Sequence, residues 1–93
     1  MRLRLTLRAE ADLKRIAAYI HARNPPAARR VEAELQAAFQ LIAAYPQIGH
    51  MRARDVRRFA LPRYPYLIFY GVDEGAGEVR VFTVRHAARA EEN

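Results

Sequence analysis

Few side chains in this chain could move a proton or hold developing negative charge, and their spacing limits the chemistry available. Attack of a ribose 2′-hydroxyl on its neighbouring phosphate needs a proton acceptor, a proton donor for the leaving oxygen, and cations on the growing charge. Arginine supplies only the cations, because its side chain stays protonated. The proton carriers near the final strand are His86 and the tyrosines, with Arg57, Arg58, Arg80 and Arg85 as charge stabilisers. Here His86 is followed by Ala87 and Ala88, and the last tyrosine is Tyr70. A lone histidine after a strand also serves as a cap on the sheet end. His21 and His50 have no partner at metal-ligand spacing, and HxxxH, CxxC and paired-carboxylate patterns are absent. Neither a metal nor another cofactor is expected.

The densest charge feature is Arg52, Arg54, Arg57, Arg58 and Arg63, relieved only by Asp55. Such a run is either a solvated strand edge, where charge stops sheets from pairing edge to edge, or a surface for an acidic partner. Neighbouring residues of a strand point to opposite faces, so Arg57 and Arg58 cannot share a ligand on one face. Directly after this run comes RYPYLIFY, Arg63 to Tyr70. Base stacking would need its tyrosines exposed in a row, but Pro65 shapes the strand entry and the following residues are apolar on both faces. The stretch therefore reads as core, with the neighbouring arginines suited to a protein interface, where Tyr and Arg are common anchors.

The elements that must position these residues follow from periodicity. Met1 to Leu7 alternates leucine with polar residues and reads as a strand. From about Arg8 to Arg23, Leu13, Ile16, Ala17 and Ile20 form a helical stripe, with Glu10 and Asp12 in the first turn where the helix dipole favours acids. Asn24 can cap a second helix that has Pro25 at its first position and runs to about Ala44, with Val31, Leu35, Ala38 and Ile42 inward. Gln47 to His50 reads as a loop. Strands are expected at Val56–Leu61, Tyr66–Val72 and Glu78–Val84, the last two joined by a hairpin at Asp73–Gly77. The strand after Pro65, apolar on both sides, should be central.

The fold class that buries both helical stripes is α+β: an N-terminal strand, an antiparallel two-helix hairpin, then three antiparallel strands in a twisted sheet. A length of 93 residues with 52% apolar and 28% charged side chains supports one domain, 1–93, with no disordered linker. Cysteine is absent, which removes disulfides and thiolate chemistry and suits a reducing cytosol. No apolar run approaches a membrane span, so a soluble cytoplasmic protein without a membrane partner is expected. The formal charge of +6 favours polyanions or an acidic protein as partners.

Ala11-Asp12-Leu13 with Ile16 and Tyr19-Ile20, then Asn24-Pro25 with Ala27-Ala28, Leu41 with Tyr45-Pro46 and Gly49, Val56-Arg57-Arg58, Tyr64 to Tyr70, and His86 with Arg89 together resemble the ParE-type toxins of the RelE/ParE superfamily. The resemblance spans nearly the whole chain. It implies the helical hairpin on an antiparallel sheet, and one of two activities carried by that scaffold. ParE-type toxins poison DNA gyrase by binding; RelE-type toxins are ribosome-dependent messenger RNA endonucleases. Both imply an antitoxin that wraps the toxin, here ParD-like. In the gyrase reading no residue is catalytic and nucleic acid is met only indirectly, through the antitoxin or the gyrase complex. Arg52, Arg54, Arg57, Arg58, Arg63, Arg80, His86 and Arg89 are then candidates for holding the target. Tyr19, Val31, Phe39, Tyr66 and Tyr70 are candidates for holding the antitoxin, with Tyr19, Val31 or Phe39 facing outward. In the endonuclease reading the set is His86, Arg57, Arg58 and Arg85. A third reading is a toxin-like chain without activity that survives as an antitoxin-binding co-repressor. The C-terminal segment, with Arg89 ahead of Glu91 and Glu92, is implicated by the resemblance in gyrase poisoning.

Overall fold

The computed structural model describes residues 1–90; Glu91 and Glu92 lie outside the described residues. Strand β1 (Arg2–Leu5) leads to helices α1 (Leu7–Arg23) and α2 (Pro25–Ala44), then strands β2 (His50–Ala53), β3 (Val56–Ala60), β4 (Tyr66–Asp73) and β5 (Glu78–His86), and a short α3 (Ala87–Ala90). The sheet order is β1-β5-β4-β3-β2, so the doubly apolar β4 is central as its composition predicts. β1 runs parallel to β5, and all other pairings are antiparallel.

Local chemistry sets the helix ends. The Thr6 hydroxyl accepts the Ala9 N–H and ends β1 two residues earlier than the leucine alternation predicts; Leu7 opens the helix and is exposed. Asn24 closes α1, its N–H donating to the Ile20 carbonyl, and its side chain caps α2 by accepting the Ala27 N–H ahead of Pro25. These caps make the hairpin turn tight without a glycine.

Strand β2 is a correction to the loop expected around His50. Its four residues, His50-Met51-Arg52-Ala53, are all exposed and carry no apolar alternation, because an edge strand with a bulge needs only β3 as a partner. Asp55 turns the chain into β3 with a φ of 62°, a left-handed conformation that aspartate tolerates better than most side chains.

Cross-strand register defines the two faces of the sheet. Phe59, Tyr66, Ile68, Tyr70, Val79, Val81 and Val84 lie on the face covered by α1 and α2, where Val31, Leu35, Ala38, Phe39 and Ile42 meet them. Ile42, Ile68, Tyr70, Val79, Val81 and Val84 are all fully buried. Each such aliphatic side chain contributes on the order of 2 kcal/mol by leaving water. The α1 stripe is less buried than its periodicity suggests: Leu13, Ile16 and Ile20 only flank this core. One extra residue on β5, Phe82, shifts the register between the Phe69–Thr83 and Tyr70–Val81 pairs. That bulge keeps Val81 and Val84 on the same face.

Candidate functional site

At the C-terminal end of β5 a cleft of about 550 Å³ is bordered by Arg15, Tyr19, Tyr66, Arg85, His86 and Arg89. The Tyr66 and His86 rings meet edge to face, their centroids 5.5 Å apart at 82°, because the two residues are cross-strand partners. Sequence spacing did not pair them; register does. The chemistry of this pair is restricted. His86 Nδ1 accepts the Ala88 N–H at 3.2 Å, so backbone occupies one of the two ring nitrogens. Burial, followed by the nearby Tyr19, raises the Tyr66 pKa, so its hydroxyl stays protonated at neutral pH. The two rings can pack against a partner, and the Tyr66 hydroxyl can donate a hydrogen bond to it.

Of the expected endonuclease set, Arg85 borders this cleft with His86, but Arg57 and Arg58 do not converge on the pair. Arg57 lies opposite Tyr70 and His86 opposite Tyr66, four residues along β4 or about 13 Å at the rise of a strand. Arg57 turns toward the helix side, where its Nη1 donates to the carbonyls of Gly49 at 2.8 Å and Gln47 at 3.2 Å. Arg58 pairs with Phe69 on the opposite face, the split expected of neighbours in a strand. Arg52 and Arg54 are exposed on β2 and the turn that follows it. Arg63, also exposed, reaches Glu34 of α2 at 3.7 Å, and Arg80 reaches Glu78 at 3.2 Å. The arginine cluster is thus dispersed over both faces and one edge.

Burial corrects most of the residues expected to face an antitoxin. Tyr19 is exposed, its ring 3.7 Å from the Arg23 guanidinium carbon, a cation–π contact. Val31, which the α2 stripe places inward although it is also a candidate for the outward patch, and Phe39, expected outward, are both buried against the sheet and line the groove between the helices. Tyr66 is also buried. Tyr70 has no exposed surface: its hydroxyl donates to the Pro46 carbonyl at 2.8 Å and accepts the Gly49 N–H at 2.9 Å, fastening the loop after α2 to the sheet. Burial drives the Tyr70 pKa up, against the lowering effects of the Gly49 N–H and the Arg57 charge. Open apolar surface lies between the helices, in a groove of about 570 Å³ where the half-buried Leu13, Ile16 and Ile20 stand over Val31, Leu35 and Phe39, flanked by Lys14, Arg29 and Glu32.

Two carboxylates that organise the molecule were not identified from the sequence. Asp12, buried on α1, accepts Arg15 Nη2 at 2.7 Å through Oδ1, and the Thr83 hydroxyl and Val84 N–H through Oδ2. Its burial raises its pKa, but the bonds from Thr83, Arg15 and Val84 outweigh that and hold it below the usual value. The available signal was an acid on the apolar stripe, three residues after Ala9 and four before Ile16. Glu78, equally buried, faces Arg80 at 3.2 Å, Arg2 at 3.4 Å and Arg4 at 3.8 Å. Among the described residues no group of three His, Cys, Asp or Glu side chains could hold a metal ion, and no helix is long and apolar enough to cross a membrane.

Residues 3–91 match the family model described as the ParE toxin of the type II toxin-antitoxin system, parDE. The protein Y4kP of Sinorhizobium fredii (strain NBRC 101917 / NGR234) is 39% identical over 87 residues, covering 92% of this chain and 88% of that one. Toxin RelE2 of Caulobacter vibrioides (strain ATCC 19089 / CIP 103742 / CB 15) is 38% identical over 84 residues, covering 90% of this chain and 92% of its own. A chain of the chromosomal ParDE system from P. aeruginosa shares the fold, with a TM-score of 0.72 at 19% identity, over 92% of this chain and 95% of that one.

Proposed function

This chain belongs to the ParE toxin family of type II toxin-antitoxin systems, and on that premise we propose that it inhibits DNA gyrase by binding, and that a ParD-like antitoxin neutralises it. What supports binding over bond-breaking is the engagement of His86 Nδ1 by the Ala88 N–H, together with the separation of Arg57 from the His86–Tyr66 pair. Among the described residues the site offers charge and shape for holding a partner, with the histidine acceptor nitrogen engaged by backbone. The apolar groove between α1 and α2, with mixed charge at its rim, suits an amphipathic antitoxin segment, and the +6 charge speeds its encounter if that segment is acidic.

Endonuclease action on ribosome-bound transcripts is the second reading. It is favoured by the cleft that joins His86 and Tyr66 to Arg15, Arg85 and Arg89, and by the 38% identity to a protein named RelE2. One preparation tested in two assays separates them. Inhibition of gyrase supercoiling with ribosome-bound transcripts left intact is the expected result. Cleaved transcripts with unaffected gyrase, abolished by His86→Ala, overturn the gyrase reading.

A further inference from the structure

The face of the sheet turned away from α1 and α2 carries an ordered array of aromatic and basic side chains. Register places His50, Arg58, Phe69 and Thr83 in one row across β2, β3, β4 and β5. Ala60, Leu67 and Arg85 form the row on one side of it. Gly71, Arg80 and Arg4 form the row on the other, with Asp73, Glu78 and Arg2 beyond. The Phe82 ring, on the bulge, lies over Gly71: a Cβ on that glycine would come within 2.8 Å of it. Phe69 and Phe82 are both half-buried, and arginines from β3, β5 and β1 surround them. The aromatic platform absent from the tyrosine run is therefore present on the other face, built from phenylalanine.

We infer that this face holds a single strand of DNA directly, with Phe69 and Phe82 stacking against bases and Arg4, Arg58, Arg80 and Arg85 on phosphates. Aromatic rings among cations on a sheet suit a nucleic acid strand, since bases stack without regard to sequence and phosphates follow the positive charge. Of the carboxylates of the face, Glu78 is paired with Arg2, Arg4 and Arg80, and Asp73 accepts the Ala76 N–H. The Thr83 hydroxyl is held by Asp12. The choice of DNA over RNA rests on the gyrase reading, in which cleaved DNA is the nucleic acid at hand; the array itself does not.

Fluorescence anisotropy of a labelled mixed-sequence single-stranded DNA oligonucleotide, with the full chain and no gyrase present, tests this apart from the gyrase reading. Binding should weaken with salt, and Arg58→Gln or Arg85→Gln should each lower affinity and reduce the salt slope by about one. Phe69→Leu should lower affinity with the slope unchanged. Arg30→Gln, the same charge change on the exposed surface of α2, should leave both unaltered, and unchanged circular dichroism confirms folding of each variant. Equal losses from Arg30→Gln and Arg58→Gln, or no binding at low salt, overturn the site. Tighter binding of the RNA oligonucleotide of the same sequence overturns the commitment to DNA.

Discussion

The Asp12 carboxylate accepts the backbone N–H of Val84 at 3.1 Å, across 72 residues of sequence. β1 ends at Leu5 and pairs with β5 only as far as Val81, whereas β5 continues to His86. The rest of that edge has no strand beside it, and α1 takes the strand's place. Thr6 donates its N–H to the Val81 carbonyl and its hydroxyl to the Phe82 carbonyl, and Asp12 receives the next outward N–H. A charged acceptor here satisfies buried backbone and aligns the end of β5 that carries His86.

Replacing Asp12 by Asn should lower stability at pH 7 by about 2 kcal/mol. The pH dependence fixes the cause. The folded carboxyl lies below its ordinary value of 3.8, so its contribution is complete above that value and is lost as pH falls through the folded value. Urea midpoints should therefore fall more steeply for the native chain than for Asp12→Asn as pH drops below about 4. Parallel curves would assign the acid sensitivity to other groups.

Tyr70→Phe removes one donor and one acceptor from a buried site and leaves the Pro46 carbonyl and Gly49 N–H without them. The expected loss is about 2 kcal/mol, or a thermal midpoint about 10 °C lower. Gly49→Ala should be comparably harmful, since its Cβ would lie 2.7 Å from the Tyr70 hydroxyl oxygen. Both effects are read by calorimetry, and the double variant should be less than additive because the two changes share one contact.

His86→Ala separates a binding role from proton transfer. It removes the edge contact with Tyr66 and the acceptor for the Ala88 N–H, both local. Gyrase inhibition should survive within a few-fold. A loss of about 10²-fold or more in the rate of transcript cleavage is the size expected for a missing acid or base and would mark His86 as a proton carrier.

Glu78→Gln tests the cluster at the start of β5. The three guanidinium partners are more than half exposed, so solvent screens them, and the expected cost is about 1 kcal/mol. The difference between native and variant midpoints should shrink as salt rises. A cost that persists at 1 M salt, on the order of a 3 Å screening length, would point to packing instead.

Much of the fold was written in local pattern. Two amphipathic stripes, the Asn24-Pro25 junction and the doubly apolar run after Pro65 each dictate one element, and each element formed where its pattern lies. β2 was not legible, because an exposed edge strand needs no apolar alternation and takes its hydrogen bonds from β3. The single parallel pairing, β1 beside β5, leaves no local mark on either strand.

The candidate sites divide in the same way. Strand alternation alone separates Arg57 from Arg58, since successive side chains cannot share a face. Composition alone supplies the excess positive charge. Which arginines stand together, that Tyr66 meets His86, and that Asp12 closes the edge of β5 were decided by register and by the bulge at Phe82. Those relationships join residues tens of positions apart. The periodicity of a segment fixes which way its side chains point, but only the packing of the segments fixes what they meet.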